Sequence, residues 1–183
     1  MLRWTSCSGA PYRSRMTSHP PIRIRAARGD DRAFLLGLLP RLAEFTLPPW
    51  RTGAEIIAGE ERTLASALAE LPPDAELLVA EGPEGARLGF VYIETETDYF
   101  RSEPYAHIGI LAVDRSGEGA GVGRALIEAA EEHARKRGDP FITLNVFERN
   151  AHARAVYERL GYVPEVIRYV KPISPTSKTG THD

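Results

Sequence analysis

Four alternating glycines in the second half of the chain constrain most strongly what it can fold into. Gly117, Gly119, Gly121 and Gly123 follow an apolar, strand-like run and come directly before a helix-like one. Glycine tolerates positive φ and lets backbone N–H groups approach a ligand, so such a loop forms a concave nest for an anion. The helix that follows points the positive end of its dipole at the same place, and Arg124 adds a positive charge. The run therefore predicts a phosphate-binding turn between a strand and a helix.

Two common phosphate-binding loops do not fit this run. A Walker A loop needs Lys followed by Ser or Thr after its last glycine, and neither is present. A dinucleotide loop needs G-x-G-x-x-G, but counting from Gly119 the sixth residue is Arg124. A plain connecting loop is the remaining alternative, although four alternate glycines at the start of a helix exceed what a turn requires.

Composition limits the partners of this site. A chain of 183 residues predicts one domain, and a formal net charge of -2 argues against a nucleic-acid partner. No apolar stretch approaches the ~18 residues that span a bilayer, so no membrane partner is expected. Cys7 is the only cysteine, which excludes an internal disulfide and favours a cytoplasmic location. The five histidines lack metal-ligand spacing, so no metal is predicted.

The two ends of the chain differ from its middle. Residues 1–21 lack hydrophobic periodicity and predict a disordered leader, in which Met16 offers an alternative start. Residues 172–183 are polar and rich in turn formers, and they predict a flexible tail. The folded domain is therefore expected to occupy residues 22–171.

Between these ends, hydrophobic spacing predicts helices interleaved with strands. The strand-like runs are residues 22–25, 76–81, 87–95, 107–113, 141–147 and a segment within 162–170. The helix-like runs are residues 30–39, 54–71, 122–137 and 150–160. The sequence GPEG at 82–85 predicts a hairpin between the second and third strands. Helices on a mixed sheet make an α/β fold.

Two segments resemble a known family. Residues 111–124 resemble the coenzyme A motif of the GNAT superfamily of N-acetyltransferases, in which a strand ending in Ala-Val precedes R/Q-x-x-G-x-G/A at a helix start. Gly121 and Gly123 occupy the two glycine positions. Downstream, NAHARAVYERLGY resembles the second motif, N-x-x-A-x-x-x-Y-x-x-x-G-F/Y. The resemblance is close over residues 107–163 and extends in layout over most of the predicted domain.

The resemblance implies a fold and a reaction. The fold is the GNAT-type acyl-CoA N-acyltransferase fold, a mixed and mostly antiparallel sheet flanked by helices. The reaction moves the acetyl group of the co-substrate acetyl-CoA to a primary amine by direct attack in a ternary complex. The partner is a small-molecule or peptide amine acceptor, and a homodimer is the oligomer to expect by default. The alternative is a non-catalytic acyl-CoA-binding or sensing module of the same fold.

The resemblance also implies which residues bind the cofactor. They lie at the strand end, in the glycine run and in the second motif: Leu111, Ala112, Val113, Glu118, Gly119, Ala120, Gly121, Val122, Gly123, Arg124, Asn150, Ala153 and Tyr157. Tyr157 matches the family's general acid, which protonates the coenzyme A thiolate, although helical spacing alone favours packing for this side chain. Asn150 is a helix N-cap by residue type and a pantetheine ligand by resemblance.

The base and the acceptor site are less constrained. Histone-type members carry a Glu six residues before the strand's terminal Val, and His107 takes that place here. An imidazole suits proton transfer near neutral pH, but a buried, hydrogen-bonded histidine is the plainer alternative. Glu94, Glu96 and Asp98 on the neighbouring strand are competing bases. Together with Glu103 they make an acidic edge that favours a cationic amine.

Glu118 departs from the motif, whose first position is normally Arg or Gln. A carboxylate about 6 Å from a phosphate charge costs roughly 0.7 kcal/mol in a water-like dielectric. We expect Glu118 to turn away to solvent, while Arg124 and Arg115 supply the positive charge. This departure is the one feature that favours the non-catalytic module.

Overall fold

A computed structural model describes residues 21–173. Nearly all of the predicted leader, including Cys7, and nearly all of the predicted tail lie outside the described residues. The strands are β1 (Arg23–Ala26), β2 (Glu76–Glu81), β3 (Arg87–Thr97), β4 (Pro104–Val113) and β5 (Ile142–Leu144). The helices are α1 (Arg32–Leu38), α2 (Gly53–Ala69), α3 (Val122–Arg137) and α4 (Ala151–Arg159). No helix in this part of the chain is long and apolar enough to cross a membrane.

The five strands form one sheet in the order β1-β2-β3-β4-β5. Every neighbouring pair is antiparallel except β4 and β5, which are parallel. The hairpin between β2 and β3 turns through Glu84 and Gly85, both at positive φ, as the sequence GPEG predicts. The predicted α/β fold with a mixed, mostly antiparallel sheet is confirmed.

Each face of the sheet carries its own core. Helices α1 and α2 cover one face, where Leu35, Leu64, Phe90 and Ile110 are buried. Helix α3 covers the other, where its apolar stripe packs on alternate residues of β2, β3 and β4. The alternation follows from the pleat, which points successive side chains to opposite faces.

The sequence predicts the helices better than the last strands. Helix α2 begins at a capping box, in which the Thr52 hydroxyl accepts from the Glu55 N–H, and ends at Ala69, shortly before Pro72 and Pro73. The predicted strand 141–147 shortens to the three residues of β5. The prediction of a strand within 162–170 is wrong, because residues 163–173 form neither strand nor helix and remain exposed. Apolar alternation alone does not make a strand without a partner for its hydrogen bonds.

Candidate active site

The glycine run forms an open start to α3. Gly121 is the N-cap at φ 85°, and Gly119 has φ 72°, values that strain any residue with a side chain. The first hydrogen bond into the helix runs from the Ala125 N–H to the Gly121 carbonyl at 3.0 Å. Within residues 21–173, five backbone N–H groups around this turn have no protein acceptor: those of Gly119, Gly121, Val122, Gly123 and Arg124. These free donors have the arrangement that an anion nest requires, and we call this turn the glycine nest.

Two predicted members of the nest use their N–H groups inside the loop itself. The Glu118 N–H donates to the Arg115 carbonyl, and the Ala120 N–H donates to the Gly117 carbonyl, each at 3.3 Å. Both donors are therefore occupied in the turn. The predicted contribution of Glu118 and Ala120 to a ligand is reduced to their side chains and carbonyls.

Strand β4 leads into this nest with one edge uncovered. Its parallel ladder with β5 joins only Ala106–Ile108 to Ile142–Leu144. Directly after that ladder, a bulge against β3 leaves Gly109 without a register partner. From Ile110 to Val113, β4 pairs only with β3 in the described sheet. The last part of β4 thus has a free edge on the β5 side.

The direction of the free backbone groups follows from strand alternation. The Asp114 N–H donates to the Leu88 carbonyl of the β3 side at 2.8 Å. Alternate residues of a strand point their N–H groups to opposite edges, so Ala112 faces β3 as well. The N–H groups of Leu111 and Val113 then face the free edge. Of the three predicted strand residues, two present donors there and Ala112 contributes a buried side chain.

The side chain of Glu118 forms an ion pair with Arg41 instead of turning away to solvent. Its carboxylate accepts from the guanidinium of Arg41, which lies in a 3-10 segment after α1. The Nε of Arg41 also donates to the Val113 carbonyl at 3.2 Å, and its Nη1 donates to Glu44. The expected free turn of Glu118 is replaced by an ion pair.

The two arginines expected to supply positive charge are paired as well. The Nε of Arg124 lies 2.7 Å from Glu128, one helical turn further along α3. The Nη2 of Arg115 lies 2.9 Å from Glu44. Both side chains are about 70% exposed, at 69% for Arg124 and 73% for Arg115, so water screens these pairs strongly.

A polar cluster lies on the α2 side of the sheet, at the opposite end of β4. His107 is only 5% exposed, and its Nδ1 lies 2.7 Å from the Thr143 hydroxyl. Its Nε2 lies 3.3 Å from the Asn145 amide nitrogen and 3.8 Å from Glu96. In the tautomer in which the Asn145 amide donates to Nε2, Nδ1 carries the proton toward Thr143. Nε2 also faces the Glu96 carboxylate.

Carboxylates surround this ring. Glu94 pairs with His107 across the β3–β4 ladder, and Glu94, Glu96 and His107 offer one ligand atom each, all within 4.8 Å of one another. The Tyr105 hydroxyl donates to Glu96 at 2.6 Å, and this bond, with burial, raises the pKa of Tyr105 to about 12. Burial, and then the charge of Glu94, raises the pKa of Glu60 on α2. Such a cluster suits a cation, either a metal ion or the ammonium head of an amine.

The candidate bases on β3 are not equivalent. Asp98 accepts the backbone N–H groups of Phe100 and Arg101, at 3.0 and 2.6 Å, and thereby closes the turn into β4. Its carboxylate has a structural function. Glu94 and Glu96 lie beside His107, so the structure separates two of the three acids from the third.

Helix α4 carries the second motif. The Asn150 Oδ1 accepts from the Ala153 N–H at 3.2 Å, so Asn150 is an N-cap. Its Nδ2 donates to no acceptor within residues 21–173. The Tyr157 ring packs on Tyr162 with centroids 6.0 Å apart, and burial raises the pKa of Tyr157 above 10. No hydrogen bond or ring contact in this part of the chain joins Tyr157 to β4.

Similarity to known proteins identifies the family of this chain. The profile described as "Acetyltransferase (GNAT) family" matches residues 39–162, more than half of the chain. The chain belongs to the GNAT family of acetyltransferases. The match contains α2, the glycine nest, β4 and the second motif.

Individual relatives agree with this assignment. A mycothiol acetyltransferase from Saccharomonospora viridis is 34% identical over 87 residues, which are 46% of this chain and 28% of that protein. The GNAT chain therefore matches less than a third of that relative's length. A Pyrococcus furiosus protein described as "Putative acetyl transferase" has a TM-score of 0.67 at 26% identity, over 84% of this chain and 100% of its own. Glucosamine-6-phosphate N-acetyltransferase from Arabidopsis thaliana shares the fold, with a TM-score of 0.57 at 20% identity over 84% and 99% of the chains.

Sequence reasoning missed several residues of this GNAT site. Arg41 is separated from Glu118 by 77 residues, and no local pattern connects the two. Glu60 sits inside an ordinary helical pattern, where a charge usually means a solvated face. Thr143 lies in β5 and Asn145 follows it, and no local sequence pattern encodes the parallel register of β5 with β4. All four residues depend on long-range packing that the sequence alone does not reveal.

Proposed function

We propose that this GNAT chain transfers the acetyl group of acetyl-CoA to a primary amine by direct attack in a ternary complex. The observation that carries the proposal is the continuity between the free edge of β4 and the anion nest. Leu111 and Val113 offer N–H groups along that edge, and five further N–H groups follow at the start of α3.

These donors suit the two parts of coenzyme A. An extended amide chain can add to an open strand edge as a further strand would, which fits the pantetheine arm on β4. The pyrophosphate fits the nest, where backbone donors and the helix dipole favour negative charge. Asn150 supports the same placement, because its Oδ1 caps α4 and its Nδ2 is left to donate to the arm.

Two groups would move the protons of the reaction. As the amine nitrogen attacks the thioester carbon, the nitrogen must lose a proton. The base that we propose is the Nε2 of His107 with the adjacent Glu96, once the incoming amine displaces the Asn145 amide from Nε2. As the carbon–sulfur bond breaks, the thiolate takes the hydroxyl proton of Tyr157. Backbone N–H groups near the Gly109 bulge would polarise the carbonyl oxygen.

Burial limits the contribution of Tyr157. Its raised pKa keeps the phenol protonated, ready to donate. The same shift makes proton transfer to a thiolate, whose conjugate acid has a pKa near 8.5, more uphill than for a free phenol. We therefore expect an effect at the low end of the ~10²–10⁴ range for general acids.

The acceptor that we propose is a cationic amine. Glu94 and Glu96 lie beside His107 and give the α2 side of the sheet negative charge. Glu60 on α2 is near enough to Glu94 for that charge to help raise the Glu60 pKa. An acceptor with a second positive charge would gain from these carboxylates while its neutral amine reacts. The carboxylates that bind the acceptor would then lie beside His107, the group that takes the proton of the attacking amine.

Thiol release tests the proposal. Release of coenzyme A from acetyl-CoA is followed with neutral monoamines, diamines, polyamines and amino sugars at one pH. We expect amine-dependent release, with kcat/KM highest for acceptors that carry a second positive charge. Acetyl-CoA binding without amine-dependent release across this panel would instead support the non-catalytic module.

A further inference from the structure

The acidic residue at the start of the nest has a cation supplied from another part of the fold. Glu118 directly precedes Gly119, the first residue with a free N–H group. Arg41 reaches Glu118 from the 3-10 segment Leu39–Ala43 and at the same time donates to the Val113 carbonyl at 3.2 Å. One guanidinium therefore joins the end of β4 to the start of the nest.

The position of Arg41 is fixed by several acceptors. Its side chain is 20% exposed, whereas the Glu118 side chain is 58% exposed. Besides Glu118 and Val113, Arg41 donates to Glu44 through Nη1. A guanidinium held by three acceptors needs no further ordering when a ligand arrives.

Removing this cation would leave the mouth of the nest acidic. Two guanidinium groups, Arg41 and Arg115, face the carboxylates of Glu44 and Glu118. Asp114 is a third carboxylate in the same loop, where it accepts from the Ser116 N–H at 2.9 Å. Without Arg41, three carboxylates would face one cation. Arg124 does not take this place in the structure, since its Nε contacts Glu128 further along α3 and not Glu118.

We infer that Arg41 compensates the charge of Glu118 and so permits the nest to hold the pyrophosphate of acetyl-CoA. Arg41 takes over the task of the Arg or Gln that the motif carries at position 118. It acts through Glu118, as a positioning residue. The inference rests on the proposed function, because it presumes that the nest binds coenzyme A.

A double-mutant cycle tests this role. The dissociation constant of coenzyme A is measured by calorimetry for the wild type, Arg41→Ala, Glu118→Gln and the double variant. Arg41→Ala should weaken binding about tenfold. Glu118→Gln alone should change it less than about twofold, because Arg41 already neutralises the carboxylate. The double variant should recover most of the tenfold loss, which a merely structural arginine would not allow.

Matched controls separate charge from packing. Pantetheine lacks the pyrophosphate, so Arg41→Ala should change its affinity, measured by competition with acetyl-CoA, less than about twofold. Arg41→Lys keeps the charge and should stay within about threefold of the wild type for coenzyme A. Arg135→Ala removes an exposed arginine that is paired with Glu132 at the far end of α3, and it should leave affinity unchanged.

The outcomes are distinct. Equal losses for coenzyme A and pantetheine, or no recovery in the double variant, would overturn the compensation and assign Arg41 to holding the end of β4. Unchanged affinity in Arg41→Ala would overturn it as well. If the wild type failed to bind coenzyme A, the proposed function itself would fall, and the inference with it.

Discussion

His107 illustrates how neighbours decide the chemistry of a single side chain. The sequence places a titratable ring on β4, but the direction of its lone pair depends on Thr143 and Asn145, which the parallel β4–β5 register brings to it. Those contacts direct Nε2 toward Glu96. The ring is 5% exposed, whereas the Glu96 side chain beside it is 42% exposed and connects the cluster to solvent.

Replacing His107 should change both the rate of the reaction and the dependence of that rate on pH. We expect His107→Ala to lower kcat about 10²-fold near neutral pH and to flatten the acidic limb of the pH–rate profile. Affinity for acetyl-CoA should change less than about twofold, since the nest lies at the other end of β4. A profile that keeps its shape in the variant would remove His107 from the mechanism and leave Glu96 as the base.

The role of Tyr157 can be tested by a substitution that removes only its hydroxyl group. Tyr157→Phe keeps the ring against Tyr162 and removes only the hydroxyl, so kcat should fall about 10²-fold with little change in KM. Tyr162→Phe is the matched control, because the buried Tyr162 hydroxyl has no partner within residues 21–173. A wild-type kcat in Tyr157→Phe would mean that the motif tyrosine only packs its helix.

At the scale of single residues, the sequence predicts backbone conformation better than it predicts side-chain contacts. Gly119 and Gly121 adopt the positive φ that the glycine run predicts. The partner of Glu118 could not be predicted, because an ion pair over 77 residues depends on where α1 ends against β4. The donors of Leu111 and Val113 likewise depend on strand pairing that no local pattern encodes.

Among the elements, β1, α1 and β3 are joined by one buried carboxylate. Asp31 is 0% exposed and accepts from Arg25 at 2.7 Å, from the Arg28 N–H at 2.7 Å and from Arg87 at 2.6 Å. The hydrogen bond from Arg25 is the largest cause that lowers the pKa of Asp31 to about 2. Because the folded-state pKa is depressed, the stabilisation is present above the unfolded value of 3.8 and is lost as pH falls toward 2.

Asp31→Asn should therefore destabilise the fold strongly at neutral pH. Removing one partner of a buried ion pair costs about 3 kcal/mol or more, measured by urea unfolding at pH 7. The cost should shrink as pH falls through the range from 3.8 toward 2, where the wild type loses the same charge. Asp30→Asn, at an exposed carboxylate 2.6 Å from Arg87, should cost less than about 1 kcal/mol. Equal costs for the two variants would contradict this account of Asp31.

The elements also show where local pattern fails. Helix α2 was predicted from its apolar stripe, which is a local pattern, and the structure adds the Thr52 cap. The segment 163–173 has apolar residues in plenty, among them Val163 at 82% and Tyr169 at 90% exposure, yet it forms no strand. A strand requires a ladder partner, and that partner is a property of the sheet.

For the whole molecule, the fold class and the order of elements from β1 to α4 followed from the sequence, because helix and strand periods differ and the hairpin turn is explicit. The register between neighbouring strands could not be predicted from the sequence. The bulge at Gly109 shifts β4 by one residue, so that Ile108 and Leu111 lie on the same face while His107 faces α2. The acidic cluster and the free edge of β4 both depend on that shift.

The central claim is that the β4 edge and the glycine nest bind acetyl-CoA. The most direct measurement is the midpoint of thermal unfolding with acetyl-CoA, ATP or NAD at equal concentrations, since a ligand of the native state must stabilise it. We expect a rise of several degrees with acetyl-CoA, larger than with ATP or NAD. No rise with acetyl-CoA, or an equal rise with all three ligands, would contradict it.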